Sequence, residues 1–67
     1  AMRRRNYRYY DHLISEAKTE DELQTIELEI NEMVRERKLR TFQGLVLRNA
    51  IEIREDELTR EHLDEEE

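Results

Sequence analysis

The apolar residues of the chain recur at helical spacing in three successive segments. Within each segment they follow one another at intervals of three or four residues, which places them on one face of an α-helix. The pattern predicts three helices, at about residues 7–17, 20–37 and 42–63. The predicted buried faces are Tyr7, Tyr10, Leu13, Ile14 and Ala17 in the first helix, Leu23, Ile26, Ile30, Met33 and Val34 in the second, and Phe42, Val46, Leu47, Ala50, Ile51, Ile53 and Leu58 in the third.

The apolar residues of the third helix spread over roughly half of the helical wheel, more than a helix with one neighbour needs. The first two helices can supply two neighbours, and a second copy of the chain is the alternative for one of them. Leu28 and Leu45 fall on the polar sides of their helices, where they are either isolated exposed leucines or part of a docking surface. The residues predicted to contact a partner protein are Leu28, Leu45, Val46 and Ile53.

Short polar signals mark the ends of the predicted helices. Thr19 stands three residues before Glu22, the spacing of a capping box, in which the Thr19 hydroxyl accepts the amide of Glu22 and the Glu22 carboxylate reaches back to the cap. Thr41 is the predicted cap of the third helix. The basic residues at 35–40 complement the negative end of the second helix dipole. These signals predict that the second and third helices form an antiparallel αα-hairpin.

The composition favours the same fold class. The 67 residues include no cysteine, no proline and one glycine, and 45% are charged. Few turns are therefore encoded, and disulfide bonds and thiolate metal sites are excluded. No apolar run approaches the roughly 18–20 residues that span a bilayer, so we expect a cytoplasmic protein without membrane contact. The sequence predicts one all-α three-helix domain at residues 6–63, with a basic flexible arm at 1–5 and an acidic tail at 64–67.

The net charge of −6 conceals a gradient along the chain. Residues 1–10 contain four arginines and no acid, whereas residues 55–67 contain eight acids and one arginine. The overall sign disfavours nucleic-acid binding by the whole surface, but an arginine and tyrosine cluster can neutralise phosphates and stack on bases. The alternative is that the tyrosines are core residues and the arginines only solubilise this end. The candidate nucleic-acid contacts are Arg3, Arg4, Arg5, Arg8 and Tyr9.

No catalytic, cofactor or metal site is predicted. His62, beside Glu61 and Asp64, could begin a zinc site, but a frayed helix end would not hold the three or four converging ligands that zinc requires. His12 is the other imidazole. Ser15 has no evident base partner, and so small a chain offers no sheltered cleft in which a carboxylate could become an acid–base catalyst. The sequence therefore predicts a protein that is not an enzyme.

Two stretches carry a resemblance to known proteins. They are A-K-T-E-D-E-L-Q-T-I-E-L-E-I, residues 17–30, and K-L-R-T-F-Q-G-L-V-L-R-N-A-I-E-I-R, residues 38–54. Together they resemble a helical hairpin in proteins of bacteriophages and mobile elements of Gram-positive bacteria, where it often follows recombination or replication domains. The later positions of the shared skeleton are Gln43, Leu47, Ile51 and Arg54. A fainter similarity, through R-E-D-E-L-T at 54–59, is to the small helical modulators of the nucleoid protein H-NS, although the last helix of that family has no counterpart here.

The resemblance implies a protein that acts by contact with other proteins. We therefore expect a small non-enzymatic adaptor or inhibitor that docks on a host, replication or recombination protein, with a homodimer as one form of assembly. Two alternatives remain open. One is a nucleic-acid-associated module that uses the basic N-terminal arm, and the other is an acidic mimic of DNA presented by the third helix and the tail.

Overall fold

The computed structural model describes the backbone of residues 2–66 and the side chains of residues 3–61. Helix α1 spans Met2–Glu16, α2 spans Glu20–Arg35 and α3 spans Thr41–Glu66. No strand occurs within the described backbone, and each helix packs against the other two. The predicted all-α, three-helix fold is confirmed.

The three helices lie side by side in a rod of 45 × 17 × 15 Å. Helix α2 runs antiparallel to α3 and makes the most extensive contact with it, as expected for the predicted hairpin. Side-chain bonds to the backbone fix the direction of α1. Arg3 Nε donates to the carbonyl oxygen of Arg37 at 3.3 Å, and Arg54 Nε donates to that of Ala17 at 3.0 Å. Helix α1 therefore runs parallel to α3, with its first turn beside the α2–α3 turn.

The core is built from ten buried apolar side chains, contributed by all three helices and by one loop. They are Tyr10, Ile14, Ala17, Leu23, Ile26, Ile30, Leu39, Leu47, Ile51 and Leu58. The predicted faces of α1 and α2 are confirmed, because each of their remaining members is partly buried against this core. In α3, Phe42 and Ile53 of the predicted apolar face are 72% and 55% exposed, so α1 and α2 do not cover the whole of that face.

Two residues that shape the core, Leu39 and Gly44, were not in the predicted apolar faces. Leu39 lies in the turn between α2 and α3, outside any periodic pattern, yet its side chain is buried. Gly44 lies where α2 and α3 pack closely, because a Cβ atom built on it would be 2.6 Å from Cγ2 of Val34. The single glycine of the chain thus permits close helix packing rather than a turn.

The predicted caps are partly right. The Thr19 hydroxyl accepts the amide of Glu22 at 3.1 Å, which confirms Thr19 as the N-cap of α2. The Glu22 carboxylate, however, accepts the amide of Lys18 at 2.9 Å, one residue before the cap. Helix α3 begins at Thr41 itself, so Thr41 is not its cap.

Arg40 takes the capping position of α3. Its carbonyl accepts the amide of Gly44 at 3.0 Å, and its own amide donates to the Gln43 side chain at 2.9 Å. Of the two hydrogen bonds of a capping box, this end therefore has only the one from the amide of the cap residue to the side chain three residues on.

Helix α2 ends in a Schellman motif that contains no glycine. The amide of Lys38 donates to the carbonyl of Met33 at 2.8 Å, and that of Arg37 donates to the carbonyl of Val34 at 3.1 Å. Arg37 itself adopts φ 64°, the left-handed conformation that usually favours glycine. The motif directs the chain back toward α1 and buries Leu39.

The predicted terminal segments need correction. Residues 2–5, predicted as part of a flexible arm, form the first turn of α1, since Arg3 and Asn6 anchor this turn to carbonyls of the α2–α3 turn. Residues 64–66 of the predicted tail continue α3, because neither glycine nor proline interrupts the chain after Gly44. Ala1 and Glu67, the outermost residues of the predicted arm and tail, lie outside the described residues.

Candidate interaction surfaces

The two basic clusters of the sequence lie together at one end of the rod. The first is on the initial turns of α1 and the second is in the α2–α3 turn, and two hydrogen bonds join them. Arg3 Nε donates to the carbonyl of Arg37 at 3.3 Å, and Asn6 Nδ2 donates to that of Lys38 at 2.9 Å. We call this surface the basic end; its cations, all exposed, are Arg3, Arg4, Arg5, Arg8, Arg35, Arg37, Lys38 and Arg40.

Few carboxylates neutralise the basic end. Arg35 forms an ion pair with Glu32 at 3.4 Å, and Lys38 forms one with Glu36 at 2.9 Å. The hydrogen bond and the charge of Glu36 raise the pKa of Lys38, so this ammonium group stays charged. Among the described side chains, no carboxylate forms an ion pair with the other six cations.

Tyr9, the aromatic member of the predicted nucleic-acid contacts, is accessible. Its side chain is 57% exposed, whereas neighbouring Tyr10 is buried in the core. The two rings meet edge to face, with centroids 5.1 Å apart. Burial, followed by the negative charge of Glu29, raises the pKa of Tyr10, which therefore remains a neutral core residue at physiological pH. Tyr10 is therefore a core residue, as the alternative interpretation expected, whereas the exposed ring of Tyr9 stays a predicted nucleic-acid contact.

A second surface is the side of α3 that faces away from the core. Phe42, Leu45 and Ile53 are 72%, 58% and 55% exposed, and Val46 between them is half-buried. Their spacing of three, four and seven residues places them on neighbouring positions of one helical side. We call Phe42, Leu45, Val46 and Ile53 the outer stripe. Phe42 was not among the predicted contact residues, because its spacing also fits the buried face.

The four predicted protein-contact residues do not form one surface. Leu45 and Val46 border an open depression that also includes Glu27 of α2, and Ile53 borders a groove with Asp11 of α1. Leu28 is 70% exposed, but it lies on the outer side of α2, opposite the buried residues of that helix. Leu45 and Val46 thus lie on the part of the outer stripe toward α2 and Ile53 on the part toward α1, whereas Leu28 lies apart from all three.

Acidic side chains of α2 and α3 gather away from the basic end. Burial, and then the charges of Glu20, Glu27, Glu52 and Asp56, raise the pKa of the Glu55 carboxyl group. The cluster has no arrangement suited to a metal ion, since no group of three or more potential ligands converges among the described side chains. The side chains of His62 and Asp64, considered as zinc ligands, lie outside the described side chains.

The hydroxyl group considered for catalysis serves the backbone instead. Ser15 Oγ donates to the carbonyl oxygen of His12 at 2.8 Å, and both residues are exposed on α1. This bond engages the hydroxyl proton with the preceding helical turn.

Comparison of the chain with protein-family models, with curated proteins and with solved structures found no match. None of the helices, over the described residues, combines the length and apolar character that a membrane-spanning segment requires. The two surfaces and their chemistry are therefore the basis for proposing a function.

Proposed function

We propose that the chain is a small, non-enzymatic protein-interaction module, an adaptor or inhibitor like the phage and mobile-element helical hairpins that it resembles. Its docking surface is the outer stripe of α3, and its partner is an amphipathic helix of another protein with basic residues beside its apolar face. The observation that supports this most is the exposure of three large apolar side chains on one side of a single helix.

The outer stripe has the composition and spacing of a helix-docking surface. Single exposed leucines are ordinary, but Phe42 and Ile53 lie eleven residues apart, three turns on the same side, with Val46 between them. Each large apolar side chain contributes about 1.5–3 kcal/mol on full burial, and association costs at least about 4 kcal/mol. We therefore expect a dissociation constant in the micromolar range or weaker for the stripe alone.

The charges around the outer stripe indicate which residues should flank the apolar face of the partner helix. Asp56 and Glu57 follow Ile53 by three and four residues, so they lie one turn further along the same side, and Glu52 adjoins it. All three carboxylates are exposed. A partner helix with lysine or arginine beside its apolar face gains complementary contacts here, whereas one with acidic flanks is repelled.

Two synthetic helical peptides test this proposal. Both carry leucine at the a and d positions of two heptads, and they differ only in having lysine or glutamate at the flanking positions. We expect the lysine-flanked peptide to bind by fluorescence anisotropy and the glutamate-flanked peptide to bind at least tenfold more weakly. The double substitution Phe42→Gln, Ile53→Gln should weaken binding at least tenfold. Leu28→Gln, the same kind of change on the outer side of α2, is the matched control and should have no effect.

The same variants reveal other occupants of the stripe. If sedimentation shows that the unmodified chain is a dimer and that Phe42→Gln, Ile53→Gln is a monomer, the partner is a second copy of the chain. If the lysine-flanked peptide binds the double variant and the unmodified chain equally well, binding depends on acidic charge alone and the stripe is not the docking surface.

A further inference from the structure

We propose that the basic end binds the sugar–phosphate backbone of a nucleic acid, through arginines of α1 and of the α2–α3 turn that the fold holds side by side. This site goes beyond the proposed protein-docking function, because it uses different residues at the end of the rod. It also differs from the basic arm predicted from the sequence, since half of its cations come from the end of α2 and the α2–α3 turn.

The geometry makes the two clusters one surface. The bonds from Arg3 to the carbonyl of Arg37 and from Asn6 to the carbonyl of Lys38 cross between segments more than thirty residues apart. Both bonds use backbone carbonyls of the turn, so they do not occupy the charged groups of Arg37 and Lys38. Helix-dipole complementarity could account for the turn cluster in the sequence. It does not account for four further arginines beside that cluster.

The exposed cations outnumber the local carboxylates. Residues 3–8 and 32–40 together contain eight basic side chains and two carboxylates, Glu32 and Glu36. A concentration of positive charge with so few internal partners is energetically unfavourable by itself, and polyanion binding with counterion release relieves it. The starts of α1 and α3 add the positive ends of two helix dipoles at this end and the end of α2 adds one negative end, so the net contribution of the dipoles is also positive.

The net charge of −6 does not prevent binding at this site, because most of the acids lie toward the other end of the rod, although Asp11 and Glu29 lie nearer. Helix α2 has 16 residues and begins with Glu20, Asp21 and Glu22. At 1.5 Å per residue, these acids lie about 24 Å from the basic end, and the acids of α3 follow Ile51. The Debye length is about 8 Å at physiological ionic strength, so most of their repulsion is screened.

The chemistry of the basic end favours nucleic acid over a lipid surface. Seven of its eight cations are arginines, whose planar guanidinium groups bind phosphate through two parallel hydrogen bonds. Tyr9 offers an exposed ring on which a base can stack. On α1 it is the one exposed large apolar residue among the described side chains, whereas helices that lie on membranes bury a continuous apolar face.

The test is fluorescence anisotropy of the full chain with a labelled 20-nucleotide single-stranded DNA, and with its duplex, over a range of salt concentrations. We expect sequence-independent binding, with a dissociation constant of about 10⁻⁶–10⁻⁴ M. For single strands each neutralised phosphate contributes about 0.7 to the slope of log affinity against log salt, so four to six phosphates give about −3 to −4.

Two double variants and a matched control test whether binding needs both parts of the basic end or only positive charge anywhere on the surface. Arg4→Gln, Arg5→Gln removes charge from α1 and leaves the Arg3 bond intact, and Arg37→Gly, Arg40→Gln removes it from the turn. Each double variant should bind at least tenfold more weakly, with a salt slope smaller by about 1.4. Arg60→Gln, at an exposed site in the acidic half of α3, should change neither quantity.

Arg37→Gly also shows that lost binding is not lost folding. Arg37 has φ 64°, which glycine adopts without strain, so this substitution should raise the melting temperature while it weakens binding. Three results would overturn the proposal: no binding at 10⁻⁴ M protein in low salt, an equal loss of affinity in Arg60→Gln, or unchanged binding in Arg37→Gly, Arg40→Gln. Tighter binding to anionic phospholipid vesicles than to either DNA would also overturn it, in favour of a membrane surface.

Discussion

The two sides of α3 are both apolar, yet they have opposite environments. The inner side presents Leu47 and Ile51 to the core, where both are buried, and Gly44 meets Val34 of α2. The outer side presents Phe42 and Ile53, each more than half exposed. Folding uses only the inner side, and the outer side is the proposed docking surface.

The comparison distinguishes the residues that stabilise the fold from the residues that are available to bind a partner. The inner side is fully accounted for by α1 and α2, so its residues determine the stability of the domain. The outer stripe contributes little within one chain, and its residues should matter only when a partner is present. Substitutions on the inner side, at the contact between α2 and α3 and at the acidic edge of α3 can test whether stability and binding depend on different residues.

The largest effect is expected from truncating a buried side chain of the inner side. Leu47→Ala should lower the free energy of unfolding by about 2–5 kcal/mol, through lost burial and the cavity left behind. Ile53→Ala, a similar truncation on the outer side, should change it by about 0.5 kcal/mol or less. Urea denaturation followed by circular dichroism measures both. If Leu47→Ala does not fold, Ile51→Val should still cost about 0.5–1.5 kcal/mol.

A comparable loss in both truncated variants would contradict this distinction. It would mean that the outer stripe is already covered, and the remaining candidate in a purified sample is a second copy of the chain. The melting temperature of the unmodified protein would then rise with concentration, which the same instrument can record.

The contact between α2 and α3 should be sensitive to one added methyl group. In Gly44→Ala, the new Cβ would be 2.6 Å from Val34 Cγ2, so the helices or the valine must move. Overpacking costs about 1–3 kcal/mol, partly offset by the roughly 1 kcal/mol that alanine gains over glycine in a helix. We expect a net loss of stability of up to about 2 kcal/mol, measured by urea denaturation.

A double-mutant cycle with Val34→Ala identifies the cause. Removing the valine methyl groups makes room for the alanine, so the two substitutions together should cost less than the sum of their separate costs. Additive costs would show that α2 and α3 do not meet closely at Gly44.

Periodicity predicted the helices and two of the three buried faces, but it could not distinguish the two sides of α3. Phe42 and Ile53 have spacings that fit an apolar face, and nothing in the pattern states that two other helices already fill the inner side. Leu39 was absent from the predicted faces because it lies in a loop, where buried residues do not recur at helical spacing. The joining of the basic clusters depends on the direction of α1, which tertiary contacts determine.

The residues of the phage-type skeleton turn out to serve the fold. Thr19 caps α2, Gln43 caps the start of α3, and Arg54 donates to the carbonyl of Ala17 at the end of α1. Leu47 lies in the core with the skeleton's other apolar residues. The residues on which the resemblance depends therefore serve the fold of this chain, whereas the outer stripe and the basic end lie mostly outside them.

The smallest expected effect concerns pH and the acidic edge of α3. Burial, followed by four nearby carboxylates, raises the pKa of Glu55 in the folded state above its value in the unfolded chain. Between these two pKa values the folded state binds more protons than the unfolded state, so the contribution of Glu55 to stability falls as the pH rises. The favourable contribution is complete below the unfolded pKa, near 4.3, and is lost above the folded pKa.

Glu55→Gln removes this charge without shortening the side chain. We therefore expect the variant to melt at a higher temperature than the unmodified chain at pH 7, and the difference to shrink as the pH falls toward 4. Glu61→Gln, an exposed position further along α3, changes the net charge equally and controls for the overall charge of the chain. Should both variants gain the same stability at pH 7, the overall negative charge would be the cause. A larger gain for Glu55→Gln would locate the repulsion at the acidic edge, on the same half of α3 that carries the flanks of the outer stripe.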